Sequence, residues 1–359
     1  MSHWTAVTAG RRAALALATT ALVAGMATGC AGSTKATVGS ATSSSSGPVP
    51  LVVYSAQGYD SAMTAAFQKA TGIPTKLDDD STGPLLAKVQ AERGNPQWGV
   101  LWVDGDEAFA AMDQEGMLVK GFEPDVQLNA AGQAVVPADK SYVPTGLTVT
   151  AALVYDITKT PNPPTSWQQL LTPAWKGQVG MNDPSVSGPT YPFVAGMFSQ
   201  LGGNSQGEAF YTGLKSNGLH VFQTNDDTLH ALQTGQIKVA LIQSSAGLAA
   251  GTKNKNLRTT YLPKVTSLPS VIGIDAKVSA KERAEAEQFA SFVLSAQGQQ
   301  VMLTGDPNGD SLYWPIVQGV AAKPELPALS SVPTQAIDPY TWGPQEGTIN
   351  SWFTDTIVH

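Results

Sequence analysis

Three times between residues 51 and 116, a short apolar run ends in a polar loop and then gives way to a helical pattern. Leu51-Val52-Val53-Tyr54 passes through Ser55–Asp60 to Met63, Phe67 and Ala70, which share one helical face that Gly72 ends. Pro74-Thr75-Lys76-Leu77 passes through the loop up to Gly83 to Leu85, Val89 and Glu92, with Pro84 suited to a first helical turn. Val100–Val103 passes through Asp104-Gly105-Asp106 to a helix over Glu107–Glu115 that Gly116 closes. Strands alternating with helices predict a parallel sheet, because a parallel pair needs a long crossover. Ligands of such sheets sit beyond the carboxyl ends of the strands. The pattern therefore fixes an α/β class and directs the search for function to the loops.

A second series comes after the breakers Pro161, Pro163 and Pro164. Gln178–Met181 reads as a strand, Asp183–Thr190 as a loop of small polar residues, and Phe193, Met197 and Leu201 as one face of a helix. A helix over Gln206–Lys215, a strand at Leu219–Phe222, a loop at Gln223–Asp227 and a helix carrying Leu229 and Leu232 come next. The strand Lys238–Ile242 then ends at Gln243-Ser244-Ser245. Two extended stretches, Tyr142–Asp156 and Ser267–Asp275, join the two series. The expected organisation is two lobes around a cleft with two hinge crossings: residues 49–147 plus 272–359, and residues 148–271.

The first 48 residues stand apart. Arg11-Arg12, an apolar run Ala13–Ala27 and Thr28-Gly29-Cys30 have the layout of an export signal, which assigns residues 1–29 to a signal peptide. Cys30 follows Ala27-Thr28-Gly29 in the manner of a bacterial lipobox and is the expected lipidation site. A soluble secreted protein with an incidental cysteine is the plainer alternative. The Ser- and Gly-rich segment 30–48 reads as a flexible tether. A single cysteine excludes internal disulfides and cysteine-based zinc sites, and a net charge of −7 argues against a nucleic-acid surface.

The loop Asp183–Thr190 lies between a strand and a helix, where free N–H groups and the positive end of the helix dipole favour an anion. Ser187, Gly188 and Thr190 are its candidate donors; ordinary helix capping is the plainer reading. Asn225, Gln243 and Ser244 would complete the second lobe's contribution. Ser55, Gln57, Ser81 and Thr82 would supply that of the first. Asp104, at a strand end, is placed to meet a ligand ammonium, or simply to form an Asp-Gly turn. Tyr59 and Trp102 are aromatic candidates for a wall, although Trp102 has apolar strand neighbours. Gly203-Asn204-Ser205-Gln206-Gly207 matches G-x-S-x-G but lies between two helical patterns, not on the strand-to-helix turn of a nucleophile elbow; no P-loop or H-E-x-x-H motif occurs, and beyond the export signal no serine stands next to a histidine. The expectation is a binding protein, not an enzyme, with neither cofactor nor bound metal.

In order and spacing, several segments resemble the bacterial extracellular solute-binding proteins of ABC importers. These are Val53–Gln57, Phe67–Ile73, Pro164–Trp167 with Trp175-Lys176-Gly177, Gly235–Leu241 and Tyr313-Trp314-Pro315. The branch is that of ferric-iron, phosphonate and sugar-phosphate binders. The resemblance implies a two-lobed, type 2 periplasmic-binding-protein fold. It implies a small-molecule ligand, an ABC permease as partner, a monomer, and a lipid-anchored place at the outer face of the cell membrane. The iron binders use a first-loop histidine and two adjacent tyrosines; here Gly58 and residues near Ser245 and Ala246 stand in those places. The family's contacts to a companion anion match Ser187-Gly188, Asn225 and Gln243. The resemblance thus implies a phosphonate-like or organophosphate-like anionic or zwitterionic ligand; the alternatives are a protein that binds ferric iron, a polyamine or another small solute, and, behind these, a secreted hydrolase.

Overall fold

The computed structural model describes residues 49–306 and 312–359. The expected signal peptide, lipidation site Cys30 and tether lie outside the described residues. The chain order is β1 (Leu51–Ser55), α1 (Asp60–Thr71), β2 (Thr75–Asp79), α2 (Thr82–Ala91), β3 (Val100–Asp104), α3 (Glu107–Gln114), α4 (Ala130–Gln133), β4 (Tyr142–Val149) and β5 (Ala152–Asp156). It continues with β6 (Val179–Asn182), α5 (Thr190–Leu201), α6 (Asn204–Ser216), β7 (His220–Phe222), α7 (Asn225–Thr234), β8 (Val239–Ile242), α8 (Ser244–Lys253) and β9 (Leu257–Thr260). Last come β10 (Val265–Ile274), α9 (Ala280–Leu294), α10 (Ala296–Thr304), β11 (Thr334–Gln335), α11 (Pro339–Trp342) and α12 (Glu346–Phe353).

Two sheets result. In the first, β1 lies between β2 and β3, parallel to both, and the long β10 pairs antiparallel with β3 and β4. In the second, β6 is parallel to β7 and β8, and β5 runs antiparallel between β8 and β9. Each parallel triplet comes from one βα series of the sequence, which is why alternating apolar runs and helical patterns predicted it. The inner strands β1, β3, β6 and β8 are mostly apolar and buried, as strands covered on both faces must be, whereas the edge strand β2 (Thr75-Lys76-Leu77-Asp78-Asp79) is largely polar and partly exposed. Trp102, Val53, Ile272 and Phe289 form the centre of one core, and Met181, Leu241, Phe198 and Tyr211 that of the other. The C-terminal α12 packs on the second core, with the Phe353 ring 5.4 Å from Tyr211.

The chain passes from the first sheet to the second between β4 and β5 and returns between β9 and β10. The return falls at residues 261–264, upstream of the extended stretch read from the sequence, because β10 continues unbroken in the first sheet. Each crossing holds a non-glycine residue in the left-handed region: Ala151 at φ 49° and Lys264 at φ 59°. Such residues cost about 1–3 kcal/mol of local strain and turn the chain sharply between sheets.

Candidate ligand-binding site

All six strands of the two parallel triplets end at one cavity of about 540 Å³. The loop after β1 contributes Gln57, Gly58 and Asp60; that after β2, Asp79, Asp80, Ser81 and Thr82; and β3 ends in Asp104. From the second sheet come Ser187 and Gly188 after β6, Asn225 and Asp226 after β7, and Gln243 after β8. The volume suits a small molecule. Five helices, α1, α2, α5, α7 and α8, begin at these same loops. Four of them, all but α7, lack a side-chain cap. Each helix start carries roughly half a positive charge.

The walls differ in chemistry. Among the described residues, the lining includes five carboxylates, Asp60, Asp79, Asp80, Asp104 and Asp226, and no Lys, Arg or His. Four of the five lie where strands of the first sheet end and their helices begin. Asp60, Asp79, Asp80 and Asp104 form no ion pair among the described residues. Burial pushes the carboxyls of Asp60 and Asp104 up to about 6. Burial, and then repulsion from Asp80 and Asp78, raises Asp79 as well.

The second wall presents neutral donors, and the buried Asn182 sets their direction. Its Nδ2 donates to Asn225 Oδ1 at 2.7 Å and to Ser187 Oγ at 3.1 Å, while Thr228 Oγ1 donates to its Oδ1 at 2.6 Å. Asn225 is thereby left with its Nδ2–H₂ group, and Ser187 with its hydroxyl proton, to offer to the cavity. Asn182 ends β6 and looks, in sequence, like the last residue of a buried strand. Nothing in the sequence marks it as the support of two loops.

Of the residues expected at the site, Gln57, Ser81, Thr82, Asp104, Ser187, Gly188, Asn225 and Gln243 line this one cavity. Ser55, Thr190 and Ser244 do not. Ser55 is fully buried beneath the first wall, where its Oγ accepts from the Gln57 N–H at 3.2 Å and its hydroxyl bonds the Asp60 carboxyl. Ser244 bonds Thr148 Oγ1 at 2.7 Å and accepts from the Val149 N–H, tying α8 to the end of β4. Thr190 is buried in the first turn of α5, its N–H donating to the Ser187 carbonyl. All three are placed behind the loops they follow or precede. Tyr59 and Trp102 are fully buried, ring against ring, with Trp102 Nε1 donating to the hydroxyls of Thr145 and Ser270, and neither lines the cavity.

Asp104 is fully engaged. Its Oδ1 accepts from Gln57 Nε2 at 3.0 Å, and its Oδ2 accepts from Gln243 Nε2 at 2.9 Å and from the Tyr313 hydroxyl at 2.8 Å. Gln243 belongs to the second sheet, so Asp104 holds the two walls together. A second tie joins the loops directly: the Gly83 N–H donates to the Val186 carbonyl at 3.1 Å. A Cβ on Gly188 would lie 2.3 Å from Thr82 Oγ1, and one on Gly83 would lie 2.0 Å from the Ser185 carbonyl oxygen. Glycine at these positions lets the walls meet. The cavity is therefore that of a closed cleft.

Among the described residues, no group of three or more His, Cys, Asp or Glu is arranged to hold a metal ion. Ala246 lines an adjoining cavity of about 830 Å³, and Gly58 borders both cavities.

The bacterial extracellular solute-binding protein family matches residues 62–334. A periplasmic protein of Salmonella paratyphi A, provisionally named as 2-aminoethylphosphonate-binding, is 23% identical over 240 residues, covering 65% of this chain and 68% of its own. An Fe(3+)-binding periplasmic protein of Serratia marcescens is 23% identical over 304 residues, covering 80% and 85%. Among solved structures, the periplasmic binding protein AfuA of Actinobacillus pleuropneumoniae, with fructose-6-phosphate bound, superposes with a TM-score of 0.76. It is 18% identical, over 86% of this chain and 98% of its own. The two sheets, the paired crossings and the cleft are those of the two-lobed type 2 periplasmic-binding-protein fold, and the chain belongs to the bacterial extracellular solute-binding protein family.

Proposed function

We propose that this chain is the lipid-anchored solute-binding component of an ABC importer and captures a small zwitterion of the aminoalkylphosphonate type. Cys30 carries the lipid, residues 30–48 the tether, and the outer face of the cell membrane is its place of work. One observation carries the choice of ligand: a carboxylate-rich wall and a donor wall face each other across one cavity that has no basic side chain among the described residues. The oxyanion end sits at Ser187, Gly188 and Asn225, where neutral donors and helix starts replace the absent Lys or Arg. Each charge-assisted hydrogen bond there contributes about 1.5–3 kcal/mol. The positive end faces the first wall.

In this reading the lobes are 49–149 with 265–335, and 152–260 with the C-terminal α12 packed against it, the crossings at Ala151 and Lys264 being the hinge. Binding favours the closed form, which docks on the permease. The ligand is released unchanged: among the described residues of the lining no serine or threonine has a histidine base beside it. The test is a calorimetric and thermal-shift survey of purified protein against 2-aminoethylphosphonate, phosphate monoesters, diamines and dicarboxylates. Saturable one-to-one binding of the zwitterion, with no product after prolonged incubation, is expected. Preference for a dicarboxylate, or turnover, would overturn the proposal.

A further inference from the structure

Two acceptor atoms of the first wall have no hydrogen-bond partner among the described residues: Asp60 Oδ2 and Gln57 Oε1. Both residues line the cavity, and each is only 2% exposed. The direction of the Gln57 amide is fixed, because its Nε2 donates to a carboxylate oxygen that can only accept. Its carbonyl oxygen is therefore the end left over. Ser55 and the backbone N–H groups of Ser61 and Gln57 act on the Asp60 carboxyl against the rise that burial causes. Asp60 also opens α1, where a carboxylate is an ordinary helix-start residue. A pure capping role, however, leaves no reason for a buried carboxylate oxygen without a donor, nor for a second orphan acceptor beside the same cavity. Asp79 and Asp80, on the neighbouring loop, add negative potential and no donor.

We infer that Asp60 and Gln57 form an ammonium subsite that selects a protonated nitrogen carrying at least two N–H bonds. Two orphan acceptors need two donors. A primary or secondary ammonium supplies them, a tertiary one supplies one, and a quaternary one supplies none. A quaternary nitrogen would keep its charge and still leave both acceptors unmatched, so charge alone does not satisfy the subsite. Ser55 acts as a positioning residue, holding the Gln57 backbone and the Asp60 carboxyl from below. Asp104, although nearer in kind to the sequence expectation, has its oxygens occupied by Gln57, Gln243 and Tyr313.

The inference deepens the zwitterion reading and rests on it for the other end of the ligand. The experiment is calorimetry on the unaltered protein with 2-aminoethylphosphonate, its N-methyl, N,N-dimethyl and N,N,N-trimethyl derivatives, ethylphosphonate and ethylamine. The expected order keeps the first two within about tenfold and weakens the trimethyl compound by about a hundredfold, to the level of ethylphosphonate. Asp60→Asn is expected to weaken the parent about a hundredfold and to leave the trimethyl compound within about threefold. Trimethyl binding as tight as the parent's, or an unchanged parent affinity in a folded Asp60→Asn protein, would overturn the subsite, the cavity then holding only ordered water at these atoms. Ethylphosphonate binding as tightly as 2-aminoethylphosphonate would also overturn it, while the oxyanion half of the functional proposal stands. If no phosphonate binds but simple amines do, in an Asp60-dependent way, the subsite stands and the phosphonate reading falls.

Discussion

The two walls of the cleft are built by the same rule and end in opposite chemistry. Each is a parallel triplet whose strand ends feed helix starts, so both offer the cavity partial positive charge from the backbone. The first wall then places Asp60, Asp79, Asp80 and Asp104 on its loops, and the second places Ser187, Asn225 and Gln243. The difference teaches that side chains at strand ends decide what the shared backbone potential is used for. On the second wall it supports an oxyanion. On the first it offsets only part of the burial and mutual repulsion that raise these carboxyls. The lack of Lys and Arg in the lining, among the described residues, fits the same logic: a basic residue would pair with these carboxylates and close the subsite.

The comparison breaks most severely if the walls cannot meet. Gly188→Val places atoms on the Thr82 side chain, and loss of the closed form removes the contacts of one whole wall. At about 1.5–3 kcal/mol for each of two or more bonds, 2-aminoethylphosphonate affinity is expected to fall more than a hundredfold. Small-angle scattering on the variant is expected to show no compaction with ligand.

Ser187→Ala with Asn225→Ala tests the second wall alone. Phosphonate affinity is expected to drop at least about tenfold for each donor removed, while ethylamine affinity stays within a few-fold. A proportional loss for both probes would show that the walls do not divide the work.

Proton titration tests the first wall. Asp60 and Asp104 release protons near pH 6, above the ordinary carboxyl range, because burial disfavours their charged forms. Affinity for an ammonium ligand is therefore expected to be flat above about pH 7. Below about 6 it falls by up to about tenfold per unit for each group that must be ionised. Unliganded stability moves the other way. A carboxyl whose folded value lies above its unfolded value near 4 costs stability as pH rises from about 4 to about 6. Melting and calorimetry across pH 4–8 separate the two trends.

The smallest effect is expected from Ser244→Ala. It removes the bonds to Thr148 and Val149 and costs about 1 kcal/mol of stability, with ligand affinity unchanged within about twofold. A large loss of affinity would return Ser244 to the ligand's own contacts.

The fold was legible because period-2 and period-3.6 patterns are local, and each apolar run at Leu51, Val100, Val179 and Val239 becomes a triplet strand. The cleft loops were legible for the same reason, since each begins where one of those strands ends. Direction was not. Ser55 and Ser244 sit close in sequence to cleft-lining neighbours, yet their side chains face the interior. A one-residue shift reverses facing, and loop composition does not record it. The role of Asp104 depends on Tyr313, which lies 209 residues away, and on Gln243 of the other lobe. Asp60 passed for the end of a loop, because a carboxylate at a helix start looks the same whether or not its oxygen has a donor.

The central claim is that one solute is held by both walls at once. Calorimetry with 2-aminoethylphosphonate, ethylphosphonate and ethylamine, each at a pH of about 7.5, where both raised carboxyls are ionised, tests it most directly. The account predicts that the whole molecule binds at least about a hundredfold more tightly than either fragment. A fragment that binds as tightly as the whole would contradict it.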